Sequence, residues 1–297
     1  MNGSLGDSPA VARHKVRRRL RQARLTLGLT QGEVAQRLGW SLSKVQRIEA
    51  AEVAVSETDL RALLAIYDIT AQPVVDELVT DAYLARRERW WTPPEHRQYL
   101  TYGTRQLIQF ELAATHIRAY QPNLVPGLLQ TPAMADYIIN ESGSERTPEN
   151  RRVILDVRLM RRKTVLERQE PPIYQLILDE SAIERIIGGA RVMAEQLEDL
   201  ADVATRPNVL IRLMPLHKGA FVADLGSFAL LTLDGDTEDS VLYREQFDED
   251  SIEYDPAKTG RYGAVFEQVW NQSYREDASL RRITAKAASL RASLDTP

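Results

Sequence analysis

Apolar positions with helical spacing open the chain. From Arg13 onward, Val16, Leu20, Ala23 and Leu27 recur at i, i+4, i+7 and i+11 among arginines, which predicts one buried stripe of a helix. Gly28 stops that helix, and Thr30 is placed to N-cap a second one carrying Val34, Ala35 and Leu38, which Gly39 ends with a left-handed residue. Only Trp40 precedes Ser41, the N-cap of a third helix with Val45 and Ile48 facing inward. Ser56 with Asp59 three residues on resembles a capping box, and Leu60, Leu63 and Leu64 follow on a fourth helix. The pattern extends from Val74 to Trp90 through Leu78 and Leu84.

Pro93-Pro94 breaks it, and the stretch from Trp90 to Glu95 is the expected domain boundary. Beyond come an amphipathic helix near Arg97 to Arg118, a Pro-rich loop from Gln121 to Pro132, a helix near Met134 to Asn140 and a longer one from about Glu149 to Gln169. The period then changes. Ile173 to Leu178, Val209 to Met214, Ser227 to Leu233 and Val241 to Glu245 are short β-prone runs bounded by Gly, Pro or Asp, the pattern of strands. A helical segment, Arg191 to Ala204, separates the first two and suits a right-handed βαβ crossover. The last two flank the acidic turn Asp234 to Asp239 as an antiparallel hairpin, and helices from about Pro256 to Leu294 close the chain.

Length adds a prior of two domains for 297 residues, and 43% hydrophobic with 27% charged residues argues against general disorder. No stretch approaches the roughly 20 apolar residues of a membrane span, and no signal-peptide core precedes the first helix, so a cytoplasmic protein is expected. The absence of cysteine excludes disulfides, Cys-type zinc fingers, iron–sulfur ligation and thiol catalysis. His14, His96, His116 and His217 have no metal-ligand spacing, and there is no Ser elbow or phosphate loop. Neither metal, cofactor nor enzymatic activity is therefore expected.

Charge is unevenly spread. Residues 1–50 hold ten Lys and Arg against three acids, a net +7, which leaves −11 for the rest of a chain whose total is −4. A basic module on an acidic body fits a polyanion partner, although a solvated helix face has the same composition. The segment LTQGEVAQRLGWSLSKVQRIE, Leu29 to Glu49, decides for the partner. It resembles the helix-turn-helix of the phage-repressor-like, xenobiotic-response-element family over roughly residues 13–70. Small Ala35 lets two helices cross, Gly39 permits the turn, and Val34, Leu38, Val45 and Ile48 fill the core beneath.

In such motifs the third helix enters the major groove while the second crosses the backbone. Gln31 is therefore expected at a phosphate together with helix N-terminal amides. Ser41 opens the third helix, on which Leu42, Ser43, Lys44, Gln46 and Arg47 lie outside the apolar stripe and face DNA. The resemblance matches Leu42, Ser43 and Arg47 to base-facing positions. Arg47 is the strongest candidate, since a guanidinium grips guanine O6 and N7 with two hydrogen bonds. Lys44 is expected on a phosphate, and Arg17 and Arg21 of the first helix complete the DNA-binding set. After Glu49 the family often has a Gly turn; Ala50-Ala51 stands here instead, so the third helix is expected to run on.

In the body, most prominent residues have structural explanations. The Gln121 to Pro132 loop is a ligand lid or, more simply, a rigid connection; Asp179 or Ser181 caps a helix, with Glu184 completing a box; Gly188-Gly189 is a helix stop; Trp90 and Trp91 plug a domain junction. Asp234 to Asp255 carries ten acids against Arg244 alone, either a solvated hairpin tip or a surface for a basic partner. From about residue 75 to 290 the chain resembles the C-terminal domain of actinobacterial regulators of the WhiJ-like, antitoxin-like group. Pro126-Gly127-Leu128-Leu129-Gln130-Thr131, Arg158, Arg161 and Arg162, Leu178-Asp179-Glu180, Gly188-Gly189, Gln196-Leu197, Pro207-Asn208-Val209 and Tyr243-Arg244-Glu245 carry the likeness.

The expected fold is an N-terminal all-α helix-turn-helix domain followed by an α+β domain, several helices on a small mixed sheet. Residues 1–9 form a disordered leader, 10–72 the DNA-binding domain, 73–95 a helical linker and 96–297 a sensor, dimerisation or partner-binding domain. The expected function is sequence-specific regulation of transcription by a homodimer on double-stranded DNA, with a partner protein or small ligand signalling through the body. The resemblance implies a small protein encoded by a neighbouring gene as that partner. An antitoxin that chiefly binds such a protein, with DNA binding for autoregulation, is the competing expectation.

Overall fold

Ser8 and Pro9 start the first helix earlier than its apolar stripe suggests. The Ser8 hydroxyl accepts from the Val11 amide, and Pro9 occupies the first turn, where its missing N–H costs nothing, so α1 runs Pro9–Thr26. Pro9 thus belongs to the helix and Ser8 to its cap, and not to a leader. The structure is a computed structural model that describes residues 8–86, 98–141, 147–218, 225–233, 240–245 and 250–294. It divides into two units, Met1–Trp91 and Thr92–Pro297.

In the first unit, Thr30 and Glu33 close a full capping box on α2 (Gln31–Leu38), and Gly39 ends it at φ 65°. Ser41 caps α3 (Leu42–Glu49) and Ser56 caps α4 (Glu57–Ile66). The third helix does not run on. It stops at Glu49, and Ala51 takes φ 56°, filling with a Cβ-bearing residue the left-handed turn that glycine favours. Val16, Leu20, Val34, Val45, Leu60 and Leu63 meet in one core with Leu78 of α5 (Gln72–Arg86). Val75, Leu78, Ala82 and Ala85 of α5 are buried, and Arg13 donates to the Ala85 carbonyl at 3.3 Å. Residues 73–86, expected in a linker, are therefore the fifth helix of this unit. The rest of that stretch, with Trp90, Trp91 and Pro93-Pro94, lies outside the described residues.

The second unit is α+β. In chain order it has α6 (Tyr102–Ala113), β1 (His116–Gln121), α7 (Pro132–Glu141), α8 (Pro148–Leu166), β2 (Ile173–Asp179), α9 (Glu180–Glu184), α10 (Gly189–Val203) and β3 (Val209–Met214). Then follow β4 (Phe228–Thr232), β5 (Ser240–Arg244), β6 (Ser251–Glu253), α11 (Pro256–Gln272) and α12 (Glu276–Leu294). The strands form a six-stranded mixed sheet in the order β3-β2-β1-β4-β5-β6. The β3, β2 and β1 neighbours are parallel, joined by helical crossovers, and β4, β5 and β6 add antiparallel.

Three expectations change here. The helix predicted to reach Arg118 ends at Ala113, and His116–Gln121 is the strand between the two halves of the sheet. Its sequence, HIRAYQ, hides this because Arg118 is itself buried, paired with Glu267 at 3.5 Å. Gly188-Gly189 starts a helix instead of stopping one: Gly188 is the N-cap of α10 at φ 72°. Asp179 caps α9 through the Ser181 amide at 2.9 Å, but Glu184 pairs with Lys286 of α12 and closes no box. The turn Asp234 to Asp239 lies outside the described residues.

Strand alternation splits the sheet into two faces. Tyr120, Phe228, Leu230 and Leu242 pack on Phe266, Val269 and Trp270 of α11. Ile117, Ala119, Leu231 and Tyr243, in register as Ile117↔Leu231 and Ala119↔Ala229↔Tyr243, line a cavity on the other face with α6, α8 and the Pro-rich loop.

Candidate nucleic-acid interface

The third helix is held by its last residue. Val45, Ile48 and Glu49 of α3 are buried. An isolated carboxylate there would be costly, and two side chains compensate it while a third holds the backbone of the same residue. Arg24 of α1 grips Glu49 with two bonds, Nε to Oε1 at 2.6 Å and Nη2 to Oε2 at 2.9 Å. Gln31 of α2 donates to Oε2 at 2.8 Å, and Arg17 donates to the Glu49 carbonyl at 2.6 Å. Arg24 also holds the Leu29 carbonyl at 2.6 Å. Its hydrogen bonds to Glu49 push the Arg24 guanidinium's pKa up, and burial, then the Glu49 charge, pushes the Tyr67 hydroxyl to about 12. The network joins α1, the start of α2 and the end of α3 by directional contacts, which fixes the aim of α3.

Opposite the buried Val45 and Ile48, the side chains of Leu42, Ser43, Gln46 and Arg47 are exposed. At 100° per residue they occupy an arc of about 140°, one continuous strip of helix surface. Leu42 is 46% exposed, an apolar side chain left in water at the start of the strip. Arg47 lies 3.8 Å from Glu52 with both side chains more than half exposed, an ion pair of ~0–1 kcal/mol that a phosphate or base can replace.

The other predicted contacts fall elsewhere. Arg17 is buried and spent on the Glu49 carbonyl, so it is a clamp and not a DNA contact. Arg21 is half-buried on α1. The Ser41 hydroxyl accepts from the Lys44 amide at 3.2 Å, a cap on α3. Lys44 donates to Asp59 Oδ1 at 2.8 Å and sits 3.7 Å from the Trp40 ring centroid, which ties α3 to the start of α4. Gln31 points its amide at Glu49, while the Thr30–Glu33 box occupies the Thr30 and Glu33 amides at the α2 N-terminus. The Glu33 carboxyl is held below its usual pKa by those bonds to Thr30. Sequence reasoning missed Arg24, Glu49 and Asp59, since nothing local marks partners 25 and 15 residues apart.

A basic N-terminal stretch and an exposed strip on α3 are two features a DNA-binding helix-turn-helix needs. A helix-turn-helix domain family matches residues 16–78, and a domain of unknown function, DUF5753, matches residues 104–285. No curated protein and no solved structure matches the chain. Among the described residues, no helix is long and apolar enough to cross a membrane. The first match makes the N-terminal unit a DNA-binding domain of a regulator. The second spans well over half of the sequence, so the chain belongs to the DUF5753 family, with a helix-turn-helix domain on the N-terminal side of that region.

Proposed function

We propose that the protein is a sequence-specific transcriptional regulator of the phage-repressor-like kind with a WhiJ-like body, acting as a homodimer whose C-terminal domain receives a partner-protein or small-ligand signal. The observation that carries this reading is the exposed strip Leu42, Ser43, Gln46 and Arg47 on a helix whose opposite side, Val45 and Ile48, is buried and whose last residue, Glu49, anchors it. In it Arg47 reads a guanine, Leu42 packs on a thymine methyl, and Ser43 and Gln46 bond to neighbouring base edges. Lys44 and Ser41 set the pose of α3, and Gln31 ties the start of α2 to it through Glu49. One such helix reads only a few base pairs, so two-fold pairing on a symmetric operator supplies the rest. No residue has a catalytic part in this scheme.

Selection of bound duplexes from a random pool tests it. The expected product is a pair of inverted half-sites about 10 base pairs apart, centre to centre, and Arg47→Ala should relax one position in each half. A pool that enriches no common sequence would overturn the proposal.

A further inference from the structure

The cavity on the sheet face opposite α11 measures about 180 Å³. A void of roughly 150 Å³ accommodates a benzene-sized molecule, so a small organic ligand fits. Its apolar wall includes Leu107, Leu128 and Leu231, and among the described residues five charged side chains also line it: Glu111, Arg158, Arg161, Glu245 and Asp250. These differ in what already neutralises them. Arg161 holds Glu111 with two bonds of 2.9 and 2.7 Å, a closed and largely buried pair. Arg158 donates to Gln130 Oε1 at 2.5 Å, and Gln130 in turn holds the Val125 carbonyl at 2.8 Å, so the Pro-rich loop is a braced wall. Gln196 braces it further, accepting from the Thr131 amide and donating to the Leu129 carbonyl.

Two carboxylates are left over. Asp250 accepts from the Thr101 and Thr104 hydroxyls at 3.1 and 3.2 Å and from Tyr243, all neutral donors. It approaches α6 only because residue 103 is glycine: a Cβ there would lie 2.5 Å from Asp250 Cβ. Among the described residues no hydrogen bond or ion pair reaches the Glu245 carboxylate. Burial first, then the Asp250 charge, pushes its pKa up, against the pull of Arg158 and Arg161. With one pair closed, two carboxylates and one guanidinium are left among the described lining residues, whose formal charges sum to −1. No group of three or more His, Asp or Glu among the described residues is placed to hold a metal ion.

We infer that this cavity binds a small alkylammonium compound, whose cationic head neutralises Glu245 and Asp250 and whose carbon chain lies on the leucine wall. The inference gives a chemical class to the small-ligand signal proposed above, and it is tested without DNA so that the two readings fail separately. Calorimetric titration and thermal melting of the full chain are run with n-butylammonium chloride, 1-butanol, sodium butyrate and magnesium chloride. Saturable binding and a raised melting temperature are expected for n-butylammonium alone. Removing one charged acceptor should weaken it roughly tenfold to a hundredfold in Glu245→Gln, and likewise in Asp250→Asn, both isosteric. Absence of saturable amine binding, equal binding of the alcohol, the butyrate or magnesium, or unchanged affinity in both variants would each overturn it.

Discussion

Arg24 and Arg47 carry the same group to opposite ends. Arg24 is buried against Glu49, and Arg47 stands in solvent beside Glu52. Removing Glu49 leaves a buried guanidinium uncompensated, so Glu49→Ala should cost about 3–5 kcal/mol in urea unfolding of the N-terminal unit. Arg47→Ala should leave the same transition within about 0.5 kcal/mol. Ala51 at φ 56° carries left-handed strain, and Ala51→Gly should stabilise by about 1 kcal/mol; an unchanged or lower midpoint would contradict that assignment. Glu245 shows the reverse of an ordinary ion-paired acid. Its folded pKa is raised above an unfolded value near ~4.3, so the stability it contributes is present below that value and lost as pH rises through the raised one. Among the described residues, Asp250, Tyr243, Arg158 and Arg161 are the charged or titratable groups acting on it. Glu245→Gln should therefore melt above the wild type at about pH 8 and lose that advantage towards pH 4; a difference independent of pH would contradict the assignment.

At the scale of elements, what could be read was what is local. The caps at Thr30, Ser41 and Ser56, the left-handed Gly39 and the short β-prone runs of β2 to β5 each declare themselves within a few residues. The strand β1 does not, since its buried arginine and flanking His116 and Gln121 break the apolar pattern that its central position would impose. The cavity was equally hidden. Pro126, Arg158 and Glu245 stood out singly in the sequence, and only the parallel crossover from β1 to β2 with the β4–β5 hairpin brings them to one wall. The glycine pair after α9 reads in sequence as a helix stop but starts α10, because a left-handed glycine serves a start as well as a stop. A Cβ at Gly188 would lie 2.8 Å from Val192 Cγ1, so Gly188→Ala should destabilise by about 1–2 kcal/mol, measured by the urea midpoint of the full chain.

For the whole molecule, the division of charge is the organising fact. The N-terminal unit, residues 1–91, carries +3, concentrated as +7 in its first 50 residues, and the second unit carries −7, which favours a polyanion on the one and a cation on the other. Part of the acidic stretch from Asp234 to Asp255 serves that second role from within, through Glu245 and Asp250. Which bases α3 reads depends on side chains in solvent, and neither packing nor spacing encodes the operator. The most direct measurement is fluorescence anisotropy on the chain's own upstream DNA and a scrambled duplex at two salt concentrations, with Arg47→Ala alongside. The account predicts specific binding whose logarithm falls with log salt by about 0.9 per phosphate neutralised, and a loss of roughly 1–3 kcal/mol of preference in the variant. Equal, weak binding to both duplexes that Arg47→Ala leaves unchanged would contradict it.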